Sequence, residues 1–205
     1  MIENLEAAVW LRPPLVPAAT EEEIAGWVIE EYDPEAHDIT PLAAEQAWAV
    51  ATQQARMLTW ELDGELLVMP QELTCFVAKL GSGVVVAAAG FNALYNETAT
   101  SPPTAELGGA YIAENFRGIG MYVPLIEARK RHASLHSNRL IAFANDKSGP
   151  ILTAHGFMVA LPEEVPSQAF ELCLKCNANP QPGTIPVMQA CCDSEAILIW
   201  KPDHE

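Results

Sequence analysis

The stretch Glu106-Leu-Gly-Gly-Ala-Tyr-Ile-Ala-Glu-Asn-Phe-Arg-Gly-Ile-Gly-Met-Tyr122 changes character along its length. Ala105–Ile112 predicts a strand. The glycine pair inside it, Gly108-Gly109, predicts a bulge or a close backbone approach. A short turn follows with glycines at Gly118 and Gly120, and a helix is expected from about Met121 to His132. Glycines let a ligand come close to the backbone. The start of a helix offers unpaired N–H groups and a positive dipole end. Strand, glycine turn and helix in this order make a site for phosphates.

Upstream, Cys75–Leu80 and Val84–Phe91 flank Gly81-Ser82-Gly83, which predicts a hairpin. Asp63-Gly64 between two short apolar runs predicts another, and Asn96–Pro103 is a polar loop. Nearer the start, Thr20-Glu-Glu-Glu23 has the form of a capping box, with Ile24, Trp27 and Val28 at helical spacing after it. A second helix is expected from Thr40, with Pro41 in its first turn and Trp48, Ala51 and Ala55 on its inner face. Ala7–Arg12 is a candidate first strand, ended by Pro13 and Pro14. Downstream, Leu140–Ala144 predicts a short buried strand and Ser148–His155 a short helix closed by Gly156. Phe170–Leu174 and Ala196–Trp200 predict two final strands. This order implies an α/β fold with a mixed sheet and helices packed on it.

The chain has 205 residues, half of them hydrophobic and 19% charged, which suits one large domain and excludes whole-chain disorder. Acidic residues outnumber basic ones 27 to 11, for a net charge of −16. Such a surface repels nucleic-acid phosphates, so no nucleic-acid partner is expected. It attracts cationic small molecules such as amines, or serves solubility alone. No apolar run is long enough to span a bilayer, and the acidic N-terminus lacks the basic region of a signal peptide. A cytoplasmic protein without a membrane partner is expected. The five cysteines are then expected as thiols or metal ligands.

Four segments in register resemble the GNAT acetyltransferase family. Arg117-Gly118-Ile119-Gly120-Met121-Tyr122 is similar to the family's pyrophosphate loop, Arg/Gln-x-x-Gly-x-Gly/Ala. Tyr122 departs from the small last residue, and Pro124 is unusual so close to a helix start. Glu106 lies where many members carry a strand glutamate beside the acceptor amine. Asn145-x-x-Ser148 followed by Gly156-Phe157 is similar to the family's Asn-x-x-Ala/Ser…Gly-Phe helix, and Glu195–Pro202 to its closing strand. The resemblance runs from about Phe76 to Pro202, with only Val9–Pro13 matching loosely before it.

The resemblance implies a GNAT acyl-CoA N-acyltransferase fold over residues 1–205, with a central twisted, mostly antiparallel sheet and a CoA-binding core over 76–202. The strand ending at Ile112 would splay from the one starting near Leu140, with pantetheine in the gap. Backbone groups of Ile112 and Ala113 would pair with its amides. Arg117 and the amides of Gly118, Ile119, Gly120, Met121 and Tyr122 would hold the pyrophosphate, and Asn145 would touch the pantetheine arm or merely cap a turn. Acetyl-CoA would be the co-substrate and a small-molecule or protein amine the acceptor, with Glu106 as base directly or through water. Glu106 as a solvated or cation-paired strand residue is the alternative. The family's tyrosine acid falls at Leu152, so Tyr111, Tyr122 and His155 are the candidate substitutes, none at the family position. His155 equally suits a helix-end residue meeting carbonyls. Arg129-Lys-Arg-His132 could touch the 3′-phosphate, but better suits cations at a helix C-terminus. Sheet edges in this fold often pair, which makes a homodimer an expectation.

Cys173-x2-Cys176 and Cys191-Cys192 would converge at the open end of a hairpin formed by the two final strands. That suits a structural zinc, or buried thiols under a loop. No metal ligand is assigned. The competing reading is a catalytically inactive GNAT-fold binding or interaction protein, with or without a Cys-bound metal.

Overall fold

In chain order the structure, a computed structural model, describes residues 16–51, 60–62, 65–67, 76–95, 103–136, 138–170 and 196–202. Helix α1 (Glu21–Ala25) opens on a complete capping box. The Glu23 amide donates to the Thr20 hydroxyl at 3.3 Å and the Thr20 amide to the Glu23 carboxylate at 2.9 Å. The helical spacing through Trp27 and Val28 does not hold. Gly26 ends the helix after one turn, and Val28 begins strand β1 (Val28–Glu31). Pairing with a neighbouring strand outweighs a helix made mainly of three adjacent glutamates.

Helix α2 (Thr40–Ala51) starts at the expected threonine. The short strands β2 (Trp60–Leu62) and β3 (Glu65–Leu67) pair with each other as the hairpin expected around Asp63-Gly64. Strands β4 (Phe76–Lys79) and β5 (Val85–Tyr95) form the second hairpin. Strand β6 (Thr104–Ile112) leads through a 3-10 turn, Glu114–Phe116, to α3 (Tyr122–Leu135). Strand β7 (Arg139–Ala144), helix α4 (Ser148–Ala154), the short strand β8 (Met158–Val159) and strand β9 (Ala196–Trp200) complete the order. Phe170 closes a 3-10 turn rather than opening a strand. The first strand at Ala7–Arg12, the rest of Phe170–Leu174 and all five cysteines lie outside the described residues.

Seven strands form one sheet in the order β1-β4-β5-β6-β7-β9-β8. Every neighbouring pair is antiparallel except β6 and β7. That parallel pair is joined only at Thr104–Arg139, Ala105–Leu140 and Glu106–Ile141. Beyond Glu106 the two strands part. β6 continues against β5, and β7 continues against β9.

Helix α3 lies on the sheet through Leu125, Ile126, Ala128 and Ala133, all buried. Burying the leucine and isoleucine contributes about 1.5–3 kcal/mol each. Arg129 is buried among them at 1% exposure, which corrects its reading as a helix-end cation. The helix runs on to Leu135, so Arg129 sits well inside it. Its Nε donates to Leu125 O at 3.0 Å, and its Nη1 reaches Gly90 O and Gly108 O at 3.3 Å each. The β5–β6 register shifts on both sides of Gly90. The glycine pair in β6 thus marks both a bulge and a close approach by a helix side chain. No helix among the described residues is long and apolar enough to cross a membrane.

Candidate active site

The turn between β6 and α3 is shaped by its glycines. Gly118 and Gly120 have φ of +83° and +92°, a region only glycine enters freely. A side chain built at either position would meet nothing within 4 Å, so the space before the turn is open. Among the described residues, the backbone amides of Gly118, Ile119, Gly120 and Met121 donate to no carbonyl. These amides, at the start of a helix, form a cradle of donors suited to an anion. Arg117 is exposed beside it. Its Nε donates to Ile112 O at 3.1 Å, and its guanidinium lies 5.4 Å from the centre of the Tyr111 ring.

Tyr122 neither crowds this space nor turns outward. It is part-buried and packs against the main core. Burial pushes its phenol above the ordinary value. Met121 is buried as well. The side chains that anchor the turn therefore point away from the open space, and the backbone faces it.

The parting of β6 and β7 leaves a gap that starts at Glu106. Ile112 and Ala113 close the β6 side. The Ala113 amide donates to Val86 O at 2.9 Å, and its carbonyl accepts from Phe116 N at 2.8 Å. Ala113 thus uses both its backbone groups inside the protein. Asn145 lies just past the end of β7. Its side-chain oxygen accepts from the amides of Lys147 at 3.1 Å and Ser148 at 2.9 Å, which makes it the turn that starts α4.

Glu106 is buried, at 4% exposure, and is not a solvated strand residue. The Tyr95 hydroxyl donates to its Oε2 at 2.6 Å. The sequence reasoning missed Tyr95, although strand pairing places Thr104, two residues from Glu106, opposite it.

Leu152 is buried at 2% exposure in the main core. The Tyr111 hydroxyl donates to Glu45 Oε1 at 3.2 Å. Burial and the nearby Glu45 charge push the Tyr111 phenol up to about 12. Its proton is thereby held. His155 Nδ1 lies 3.0 Å from Glu127 Oε1, while its backbone amide closes the end of α4. Of the basic run, Lys130 bonds Glu127 at 3.1 Å and His155 O at 2.9 Å, and His132 packs against the rings of Phe76, Phe91 and His136.

Glu45, on α2, is the second residue missed. It is buried at 1% exposure and gathers Val16, Tyr111 and Glu114. The available signal was a Glu45-Gln46 pair inside the otherwise apolar run Pro41–Ala51.

No family model matches the sequence, and no curated protein matches it. Solved structures do. The N-acetylglutamate synthase of Neisseria gonorrhoeae, complexed with coenzyme A and N-acetyl-glutamate, is 14% identical with a TM-score of 0.53, over 85% of this chain and 35% of that one. An acetyltransferase of the GNAT family from Staphylococcus aureus Mu50 is 10% identical with a TM-score of 0.51, over 86% of this chain and 99% of that one. At these identities the likeness is one of fold. The chain shares its fold with these acetyltransferase structures.

Proposed function

We propose that the protein is an N-acetyltransferase that moves an acetyl group from acetyl-CoA to a primary amine. The observation that carries this reading is the gap opened where β6–β7 pairing stops at Glu106, with the donor cradle of Gly118–Met121 at the head of α3 beyond it. Phosphates of the co-substrate suit the cradle, with Arg117 beside them. The parted strand edges suit the pantetheine arm, with Ile112 on one side and Asn145 on the other. Ala113 is the weakest of the expected contacts, since its backbone groups already have partners.

In the reaction, the neutral amine nitrogen bonds to the thioester carbonyl carbon and the carbon–sulfur bond breaks. Glu106 takes the proton lost by the amine, directly or through a water molecule. Tyr95 holds the carboxylate in place. The coenzyme A thiolate leaves without a protein acid and takes its proton from solvent. The acidic net charge of −16 favours a cationic acceptor, a small amine or a protein amine.

The test is a calorimetric titration with acetyl-CoA beside a Gly120→Trp variant. Saturable binding that the variant loses supports the reading. No binding at millimolar acetyl-CoA rejects it. The buried Leu152 favours the second reading, a GNAT-fold binding protein without turnover. Binding of acetyl-CoA with no acetylation across a panel of amines would decide for that one.

A further inference from the structure

Glu45 belongs to α2, far along the chain from the glycine turn, yet its carboxyl group meets the segment that leads into that turn. Its Oε1 accepts the Glu114 amide at 2.6 Å and the Tyr111 hydroxyl at 3.2 Å. Its Oε2 accepts the Val16 amide at 3.0 Å. The Asn115 side-chain amide donates to the carbonyl of the same Val16 at 2.8 Å. Both backbone groups of Val16 are thereby tied, one to α2 and one to the turn. Tyr111 in its turn lies under the Arg117 guanidinium. A buried carboxyl group is retained against its desolvation cost only where donors meet it, and here three donors come from two separate segments, Val16 and Tyr111–Glu114.

We infer that Glu45 is a positioning residue for the cofactor turn: it fixes the Glu114–Phe116 turn, and through it the amides of Gly118–Met121, against α2 and the Val16 segment. The inference rests on the transferase reading and adds to it a residue that acts through the backbone. It makes the segment before α1 and the helix α2 part of the cofactor side of the site. Order on one side is then transmitted to the other, since the same carboxylate holds both.

The geometry sets a graded expectation. In Glu45→Gln the amide oxygen can still accept from Glu114 and Tyr111, while its NH2 group opposes the Val16 amide. In Glu45→Ala all three donors lose their partner. Leu42→Ala is the control, a buried residue on the same helix outside the three-donor set. Acetyl-CoA affinity by calorimetry is expected to fall about tenfold in Glu45→Ala and about threefold in Glu45→Gln, and less than twofold in Leu42→Ala. Amide exchange of residues 113–122 should accelerate in the same order. Should Glu45→Ala not fold, the contrast of Glu45→Gln with Leu42→Ala decides. Equal losses in Glu45 and Leu42 variants, or losses that follow melting temperature alone, overturn the inference. Wild-type protein that binds no acetyl-CoA rejects the transferase reading instead, and exchange at 113–122 then still decides whether Glu45 fixes the turn.

Discussion

Strand β6 carries a tyrosine–glutamate pair near each end, and the two pairs differ in what surrounds them. Near its start, Glu106 accepts the Tyr95 hydroxyl at 2.6 Å, at the last residue where β6 still pairs with β7. Near its end, Tyr111 donates to Glu45, whose carboxyl group also receives two backbone amides. The first pair stands at the mouth of a gap between strands. The second is sewn into the backbone on both sides. Under the proposed function, the same two residue types serve as proton acceptor in one place and as anchor in the other. What marks the second pair is the two backbone amides that its carboxyl group receives.

The strongest way to break this comparison is Glu106→Gln. With the Tyr95 contact still possible through the amide oxygen, kcat is expected to fall about a thousandfold while acetyl-CoA affinity stays within twofold. A parallel loss of affinity would make Glu106 an anchor like Glu45. Arg129→Met comes next. The guanidinium meets Gly90 and Gly108 between the two pairs, so its removal should cost about 2–4 kcal/mol in a urea titration. An unchanged midpoint would mean that the bulged strands hold their own shape.

Leu152→Tyr sharpens the comparison by offering the hydroxyl that neither pair supplies. The site is buried, so overpacking should lower stability by about 1–3 kcal/mol without raising kcat. A higher kcat would show that proton supply to the thiolate had been limiting. The smallest effect is spectroscopic. The Tyr111 phenol is raised to about 12, so its ionisation should fall well above pH 10 in an ultraviolet pH titration, and Tyr111→Phe should remove that step. Because the folded value lies above the ordinary 10, the stability it confers is present below pH 10 and fades as pH rises toward 12. Ionisation near 10 would mean that Tyr111 is not held buried beside Glu45 in solution.

The glycine turn was legible because its geometry demands glycine. Gly118 and Gly120 take positive φ, and few other residues serve there. The alternation of strands and helices was legible from the local pattern of apolar residues and turn glycines. Glu45 was not, since its partners Tyr111 and Glu114 are 66 and 69 residues away. No local pattern encodes a contact of that separation. Val28 was misplaced because helical spacing persists past Gly26, while pairing with Lys79 decides the outcome. Arg129 looked like a surface cation because its neighbours in the run are charged. Only the bulged strands beneath α3 give it somewhere to go.

The short β6–β7 contact has a mechanical consequence. Three residue pairs form the only strand pairing among the described residues between a four-stranded plate, β1-β4-β5-β6, and a three-stranded plate, β7-β9-β8. The plates are bridged from one face by α3, which touches β1, β4, β5, β6 and β7. The sheet is therefore two plates joined by a short seam, with a helix laid across the seam. Load passing from one plate to the other must therefore cross either that short pairing or the helix laid over it.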